Sequence, residues 1–96
     1  MTLPAPPRSA AAPLYGWLTD RLAVYLDREP ESIDPTVPLA VYGMDSVCAL
    51  SLCGDVEDEF GIPVDPSMAW DHSTVAALAR HLASRGVRVP AGRTRP

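Results

Sequence analysis

Apolar residues recur at spacings of three and four in three segments of the chain, which is the period of one face of an amphipathic helix. These stripes comprise Leu14, Trp17, Leu18, Leu22 and Tyr25; Ala49, Leu52, Cys53, Val56 and Phe60; and Val75, Leu78, Ala79 and Leu82. The pattern predicts an all-α fold in which three main helices bury their stripes against one another.

The first predicted helix begins between Ser9 and Pro13 and ends before Pro30, because the residue before a proline disfavours helical angles. A long loop follows to Met44, and its prolines preclude regular structure there. The apolar loop residues predicted to pin it across the helix ends are Ile33, Val37 and Leu39. A loop of this length in so small a domain is usually functional or packed down.

The second helix is predicted from Asp45 to Phe60, with Gly61 as its stop. A short helical turn follows, with Asp65 as cap and Pro66 at its first position.

The final helix is predicted to be capped by Ser73 or Asp71 and to end near Gly86. The chain as a whole is therefore expected to form three main helices plus one short helix.

A chain of 96 residues is long enough for one small domain. We predict a disordered Pro/Ala-rich leader in residues 1–8, the folded domain in residues 9–86 and a flexible basic tail in residues 87–96. The longest apolar runs are only a few residues, and the start lacks the apolar core of a signal peptide. We therefore expect a cytoplasmic monomer that does not enter a membrane.

Charge is unevenly distributed along the chain. Residues 9–86 hold all 12 acidic residues and four arginines, a formal charge of −8. An acidic domain is a poor nucleic-acid binder, since affinity there comes largely from cationic groups that neutralise phosphates. Basic protein surfaces are the expected partners. The chain has no lysine, which excludes Schiff-base chemistry.

The two cysteines and two histidines do not predict a metal site or a disulfide. Cys48 and Cys53 lie five residues apart on one predicted helix and so point in different directions. Cys53 is expected in the core and Cys48 as a partly exposed thiol. His72 and His81 have no zinc-ligand spacing, and surface or capping roles are expected for both.

The turn that opens the second helix carries the candidate chemistry. Gly43 allows a tight turn, and either Asp45 or Ser46 can cap the unpaired N–H groups of the helix start. The apolar stripe can then be buried while the Ser46 hydroxyl stays exposed. An anion attached to Ser46 would lie at the positive end of the helix dipole, which favours it by about 0.3–1 kcal/mol, although Asp45 opposes part of that gain.

Three segments of the chain match a known family pattern: Tyr42 to Val47, Val56 to Ile62 and Trp70 to Ala79. In these segments the chain resembles the acyl carrier protein family, of the polyketide-synthase type. The resemblance covers Leu14 to Arg85, and it implies a small carrier bundle that is not an enzyme.

The resemblance also implies the site residues. Ser46 would receive 4'-phosphopantetheine from coenzyme A through a phosphopantetheinyl transferase, and Asp45 would help complete a magnesium site in that complex. The arm's thiol would then hold an acyl chain as a thioester. Val47, Val56, Glu57 and Asp58 fall where family members meet partner enzymes or line the path of the arm. The implied partners are an acyltransferase or acyl-adenylate ligase for loading, and a ketosynthase or other biosynthetic enzyme.

The chain departs from the family pattern at two positions of the second helix. Ser51 stands where many relatives carry an acid, and Gly54 stands where they carry a bulky side chain that contacts partners. Glycine inside a helix costs about 1 kcal/mol relative to alanine.

Three alternatives remain open at this point. A peptidyl carrier of a nonribosomal peptide synthetase shares the fold and the serine, although Met44 stands where a second glycine is more usual. A helical protein-interaction module would use Ser46 only as a cap. A hydrolase with Ser46 as nucleophile lacks a Gly-x-Ser-x-Gly elbow.

Overall fold

The computed structural model describes residues 6–89, and this part of the chain contains helices and no strands. The four α-helices are α1 (Pro6–Leu26), α2 (Ser46–Phe60), α3 (Met68–Asp71) and α4 (Val75–Ser84). Two short 3₁₀ helices, Pro30–Ser32 and Leu39–Tyr42, lie in the long loop between α1 and α2. The predicted all-α fold with three main helices and one short helix is confirmed, whereas the prolines do not exclude all regular structure from the loop.

Helix α1 begins at Pro6, earlier than the predicted start between Ser9 and Pro13. Proline is well suited to the first turn of a helix, and the alanines that follow favour its continuation. The helix ends at Leu26, before the predicted stop at Pro30. Asp27 takes left-handed angles (φ 56°), and the Arg28 N–H bonds to the Ala23 carbonyl at 3.0 Å. This is a Schellman-type end, so a local cap and not the proline ends α1.

Helix α2 ends at Phe60 as predicted and begins at Ser46, one residue after the predicted start at Asp45. The Asp45 carboxylate accepts a hydrogen bond from the Cys48 N–H at 2.9 Å, which caps the start of the helix. Gly61 takes left-handed angles (φ 71°), and its N–H bonds to the Glu57 carbonyl at the end. Both ends are fixed by residues next to them in the sequence, which explains why these bounds could be predicted.

The caps of the last two helices differ from the prediction. Helix α3 begins at Met68, because Asp65 accepts the Ser67 N–H in a turn that precedes the helix. Helix α4 is capped by Thr74, whose Oγ1 accepts the Ala77 N–H at 3.0 Å. Ser73 lies one residue before this cap, and its backbone carbonyl accepts the Leu39 N–H.

The core lies between α1, α2 and α4. Its fully buried large side chains are Leu14, Leu18, Leu22, Leu39, Leu52, Val56, Leu78, Leu82, Val75 and Val87. Val87 is buried beyond the predicted domain end at residue 86, so packing extends past that boundary. The division into leader, domain and tail stays a prediction, and residues 1–5 and 90–96 lie outside the described part of the chain.

Two side chains differ from their predicted positions. Tyr25 was expected in the core, but it is 37% exposed and its hydroxyl donates to the Asp55 carboxylate. Desolvation, together with this contact, raises the pKa of Tyr25 to about 12. Cys48 was expected to be partly exposed, but it is buried, as is Cys53, and both thiols are free.

His72 and His81 stack on each other, with ring centroids 4.1 Å apart. Burial, followed by the nearby His72 and Arg85 charges, lowers the pKa of His81, against an opposing effect of Asp71. The folded state therefore favours neutral His81. The unfolded chain binds this proton more readily, so stability should fall as the pH drops below the usual histidine pKa of about 6.5.

We expect His81→Gln to flatten this acid-side loss of stability. The measurement is the thermal unfolding midpoint of both proteins from about pH 7.5 to about pH 5.5, a range in which histidine is the main titrating side chain. An identical decline in the two proteins would contradict this role for His81.

Candidate functional site

The start of α2 presents Ser46 to solvent. Gly43 ends the second 3₁₀ helix with left-handed angles (φ 97°), which makes the tight turn that the sequence predicted. Met44 then buries its side chain, Asp45 caps α2, and Ser46 is the first helical residue. The side chain of Ser46 is exposed, and within residues 6–89 it takes part in no hydrogen bond.

The long loop holds this turn in place through contacts with α4 and with the segment just before it. The Leu39 N–H bonds to the Ser73 carbonyl at 2.7 Å, and the Pro35 carbonyl accepts the Ala76 N–H at 2.9 Å. Ile33 and Leu39 are buried as predicted, while Val37 is half-buried. The loop is therefore held against the core by hydrogen bonds and buried side chains, a few residues before Ser46.

The division of roles between Asp45 and Ser46 is resolved. Asp45 is the cap, so Ser46 is not needed to satisfy the helix start. This corrects the interpretation of Ser46 as a cap in an interaction module without a prosthetic group. It also gives Asp45 a structural role in the unmodified domain, in addition to any role during modification.

An anion on Ser46 fits the local electrostatics. The first N–H groups of α2 and the positive end of its dipole lie beside the Ser46 oxygen, and both favour negative charge. The exposed position also leaves room for a bulky group. Within residues 6–89 there is no cluster of three or more His, Cys, Asp or Glu that could hold a metal ion.

The exposed side of α2 continues from Ser46 along the helix. Val47 is 72% exposed and Leu50 is 61% exposed, and farther along both Glu57 and Asp58 are exposed. Leu50 was missed by the sequence analysis, although it lies off the apolar stripe and one turn after Ser46. We call the set Val47, Leu50, Gly54, Glu57 and Asp58 the outer face of α2.

Val56 does not belong to this outer face. It is fully buried between the helices, so the prediction that it contacts partner enzymes is wrong for a direct surface contact. Neighbouring residues of a helix point about 100° apart, so Val56 can face the core while Glu57 faces solvent.

Two other acids of α2, Asp55 and Glu59, face α1 and not the outer face. Asp55 lies 3.8 Å from the Arg21 guanidinium and accepts the Tyr25 hydroxyl, and Glu59 lies 3.9 Å from the same guanidinium. Arg21 also lies over the Trp17 ring. The acids left on the outer face are therefore Glu57 and Asp58.

Comparison with known families decides what this site is. Residues 16–82 match the model of the phosphopantetheine attachment site family. The matched region spans most of the chain and includes Ser46. The chain belongs to this carrier family. It is a carrier of covalently attached 4'-phosphopantetheine and not an enzyme, as the resemblance predicted.

Similar proteins agree with this assignment. One phenolphthiocerol/phthiocerol polyketide synthase polypeptide of Mycobacterium tuberculosis is 37% identical over 76 residues, which is 79% of this chain and 4% of the synthase. The chain thus spans a small fraction of the length of such synthases. The chain is thus a carrier protein whose sequence is similar to the carrier domains of polyketide synthases.

Two solved structures show the same bundle. A free-standing peptidyl carrier protein from Acinetobacter baumannii has a TM-score of 0.76 and 37% identity, over 78% of this chain and 94% of that protein. The acyl carrier protein Asl1650 from Anabaena has a TM-score of 0.71 and 29% identity, over 88% of this chain and 94% of that protein.

None of the helices described in residues 6–89 has the length and apolar character to cross a membrane.

Proposed function

We propose that Ser46 is the attachment residue for 4'-phosphopantetheine, and that the loaded arm carries acyl intermediates of a polyketide or related secondary metabolite. The observation that carries this proposal is the exposed hydroxyl at the first position of α2, which makes no hydrogen bond within residues 6–89 while Asp45 caps the helix. The thiol of the attached group supplies the chemistry, since it forms a thioester with the acyl chain.

Attachment requires one bond exchange at Ser46. The Ser46 oxygen gives its proton to a base of the transferase and forms a new P–O bond to the pantetheine-bearing phosphorus of coenzyme A. The P–O bond between that phosphorus and the adenosine half breaks, and adenosine 3',5'-bisphosphate leaves with its electron pair. A separate phosphopantetheinyl transferase catalyses this step. Asp45 contributes by placing a carboxylate beside the reacting oxygen, where Mg²⁺ bound to coenzyme A phosphates would accept it as a ligand.

The carrier family implies that the domain meets biosynthetic enzymes. We assign three kinds of partner: the transferase, an acyl-loading enzyme that is an acyltransferase or an acyl-adenylate ligase, and a ketosynthase or another enzyme that consumes the acyl group. Val47, Glu57 and Asp58 are proposed to contact them, because they are exposed on the helix that presents Ser46. We further propose that the domain works as a monomer in the cytoplasm.

Reversing the charge of Glu57 and Asp58 should slow modification by the transferase. We expect the double variant Glu57→Arg/Asp58→Arg to lose about tenfold in kcat/KM at low salt, with a smaller loss at high salt, because exposed charges are screened there. Glu31→Arg is the control, since Glu31 is also exposed but lies on the first 3₁₀ helix. Equal rates for the double variant and the wild type at low salt would contradict the assigned contact.

A second candidate cargo is an aminoacyl or peptidyl group, which the likeness to the peptidyl carrier from Acinetobacter baumannii favours. The two cargoes can be separated after modification. Loading from malonyl coenzyme A by a polyketide acyltransferase indicates acyl cargo, whereas loading of an amino acid by an adenylation enzyme indicates peptidyl cargo.

The test of the attachment site is the intact mass of the chain before and after incubation with a broad-specificity phosphopantetheinyl transferase, coenzyme A and Mg²⁺. We expect a gain of one phosphopantetheine, and fragmentation of the modified protein should place it on Ser46. A gain that maps to another serine, or no gain on folded protein, would overturn the proposal.

A further inference from the structure

Tyr42 joins the first part of the long loop to its last part. Its hydroxyl oxygen accepts the Asp34 N–H at 2.8 Å, and the Arg28 guanidinium lies over its ring, 4.6 Å from the ring centroid. The side chain is half-buried and also packs against the core. Tyr42 therefore connects the segment that follows α1 with the residue just before the Gly43 turn.

The groups that hold Tyr42 are themselves ordered by local hydrogen bonds. Arg28 Nε donates to Ser32 Oγ at 3.1 Å. The Asp34 carboxylate accepts both the N–H and the hydroxyl of Thr36, at 2.8 and 2.7 Å. A leucine could fill the core-facing part of this position, but it would make neither the hydroxyl contact nor the contact with the guanidinium. These two contacts fix an orientation and add little to the burial of apolar surface.

The turn that follows Tyr42 leads directly to the attachment residue. The N–H groups of Gly43 and Met44 donate back to carbonyls of the second 3₁₀ helix, at 3.0 and 3.2 Å. The turn is thus built on the short helix that ends at Tyr42. Gly43 has no side chain to hold it and has wide conformational freedom. The orientation of the short helix therefore decides where the turn places Ser46.

We propose that Tyr42 is a positioning residue for the attachment of phosphopantetheine, and that its contacts with Asp34 and Arg28 hold the turn in the conformation that presents the Ser46 hydroxyl. This inference rests on the proposed function. Tyr42 acts through the turn and not by contact with the reacting atoms. When its contacts are lost, the turn samples other conformations, and only the fraction of molecules in the competent one reacts.

Positioning predicts a loss in kcat and not a rise in KM. The outer face of α2 and the Asp45 cap are kept in variants of Tyr42, so docking of the transferase should be unchanged. We expect Tyr42→Leu to lower kcat for modification about tenfold, with KM for the carrier within about twofold of the wild type. Tyr42→Phe keeps the ring under Arg28 and loses only the hydroxyl. It should recover most of this loss and stay about threefold below the wild type.

Helix α1 offers a matched control for each exchange. The Tyr25 hydroxyl also takes part in a hydrogen bond, with Asp55, so Tyr25→Phe removes an equivalent group away from the turn. Tyr15 is likewise partly buried against the core, so Tyr15→Leu makes the same exchange as Tyr42→Leu. Both controls should keep kcat within about twofold of the wild type when all proteins are measured below their unfolding transitions.

Amide hydrogen exchange, followed by NMR, measures the turn without the transferase. The Gly43 and Met44 N–H groups report on the turn. The N–H of the buried Leu78, bonded to the Thr74 carbonyl at 2.9 Å, reports on the opening of the core. We expect Tyr42→Leu to accelerate exchange in the turn about tenfold more than at Leu78. A merely stabilising side chain would accelerate exchange at all three amides alike.

The outcomes separate this proposal from the proposed function. A kcat for Tyr42→Leu within about twofold of the wild type, or no lower than that of Tyr15→Leu, would overturn the role of Tyr42 and leave Ser46 as the attachment site. A raised KM at unchanged kcat, or equal acceleration of exchange at all three amides, would overturn it too. If the wild type gains no phosphopantetheine, the proposed function fails and the positioning role fails with it.

Discussion

Replacing Ser46 by alanine should abolish the gain of phosphopantetheine completely, while the domain remains folded. The hydroxyl is the only atom group lost, and it takes no part in the hydrogen bonds of residues 6–89. Alanine is a better helix former than serine, and the cap on Asp45 is kept. We therefore expect the free energy of unfolding to stay within about 0.5 kcal/mol of the wild type or to rise slightly.

Ser51 provides the control for this result. It is the second serine of α2 and is half-buried one turn away from Val47. Ser51→Ala should gain one phosphopantetheine like the wild type under the same conditions. Intact mass measures the modification of both variants, and chemical denaturation measures their free energies of unfolding. Modification of folded Ser46→Ala would show that a different oxygen accepts the group.

The sequence predicted the elements whose signals are local. The bounds of α2 follow from Asp45 and Gly61, which act on backbone groups within four residues of themselves. The end of α1 was assigned to Pro30, because an aspartate in the left-handed conformation at position 27 is a less obvious stop than a proline. The cap of α4 also escaped prediction. Serine and threonine are both good caps, so the residue types do not tell which of Ser73 and Thr74 precedes the first turn, and it is Thr74 that accepts the Ala77 N–H.

The candidate site shows the same limit. The exposure of Ser46 could be predicted, because it depends on the helix start and on the side of the helix that carries the apolar stripe. The sequence alone could not show which acids of α2 face solvent and which face α1. Asp55 and Glu59 lie near Arg21, which is more than 30 residues away along the chain. Tyr25 is partly exposed, and its hydroxyl donates to the Asp55 carboxylate. Periodicity identifies the faces of one helix but not its neighbours.

Replacing Asp45 by asparagine should slow modification of Ser46 about 10- to 100-fold without destabilising the domain. Asparagine and aspartate are about equally good N-caps, and the amide oxygen can still accept the Cys48 N–H. What the variant loses is the negative charge, and Mg²⁺ prefers carboxylate ligands together with phosphate oxygens. A loss of rate at unchanged stability would therefore report on the carboxylate and not on the helix start.

Asp65 is a matched control for this charge effect, because its carboxylate also accepts a nearby backbone N–H, that of Ser67, but in the turn before α3. Asp65→Asn removes one negative charge from the domain and keeps the turn, so modification should stay within about twofold of the wild type if long-range charge has little effect. The kcat/KM of both variants should be measured across Mg²⁺ concentrations. If Asp45 takes part in a magnesium site, added Mg²⁺ should recover part of the rate of Asp45→Asn. Equal rates for Asp45→Asn and Asp65→Asn would leave Asp45 with a capping role alone.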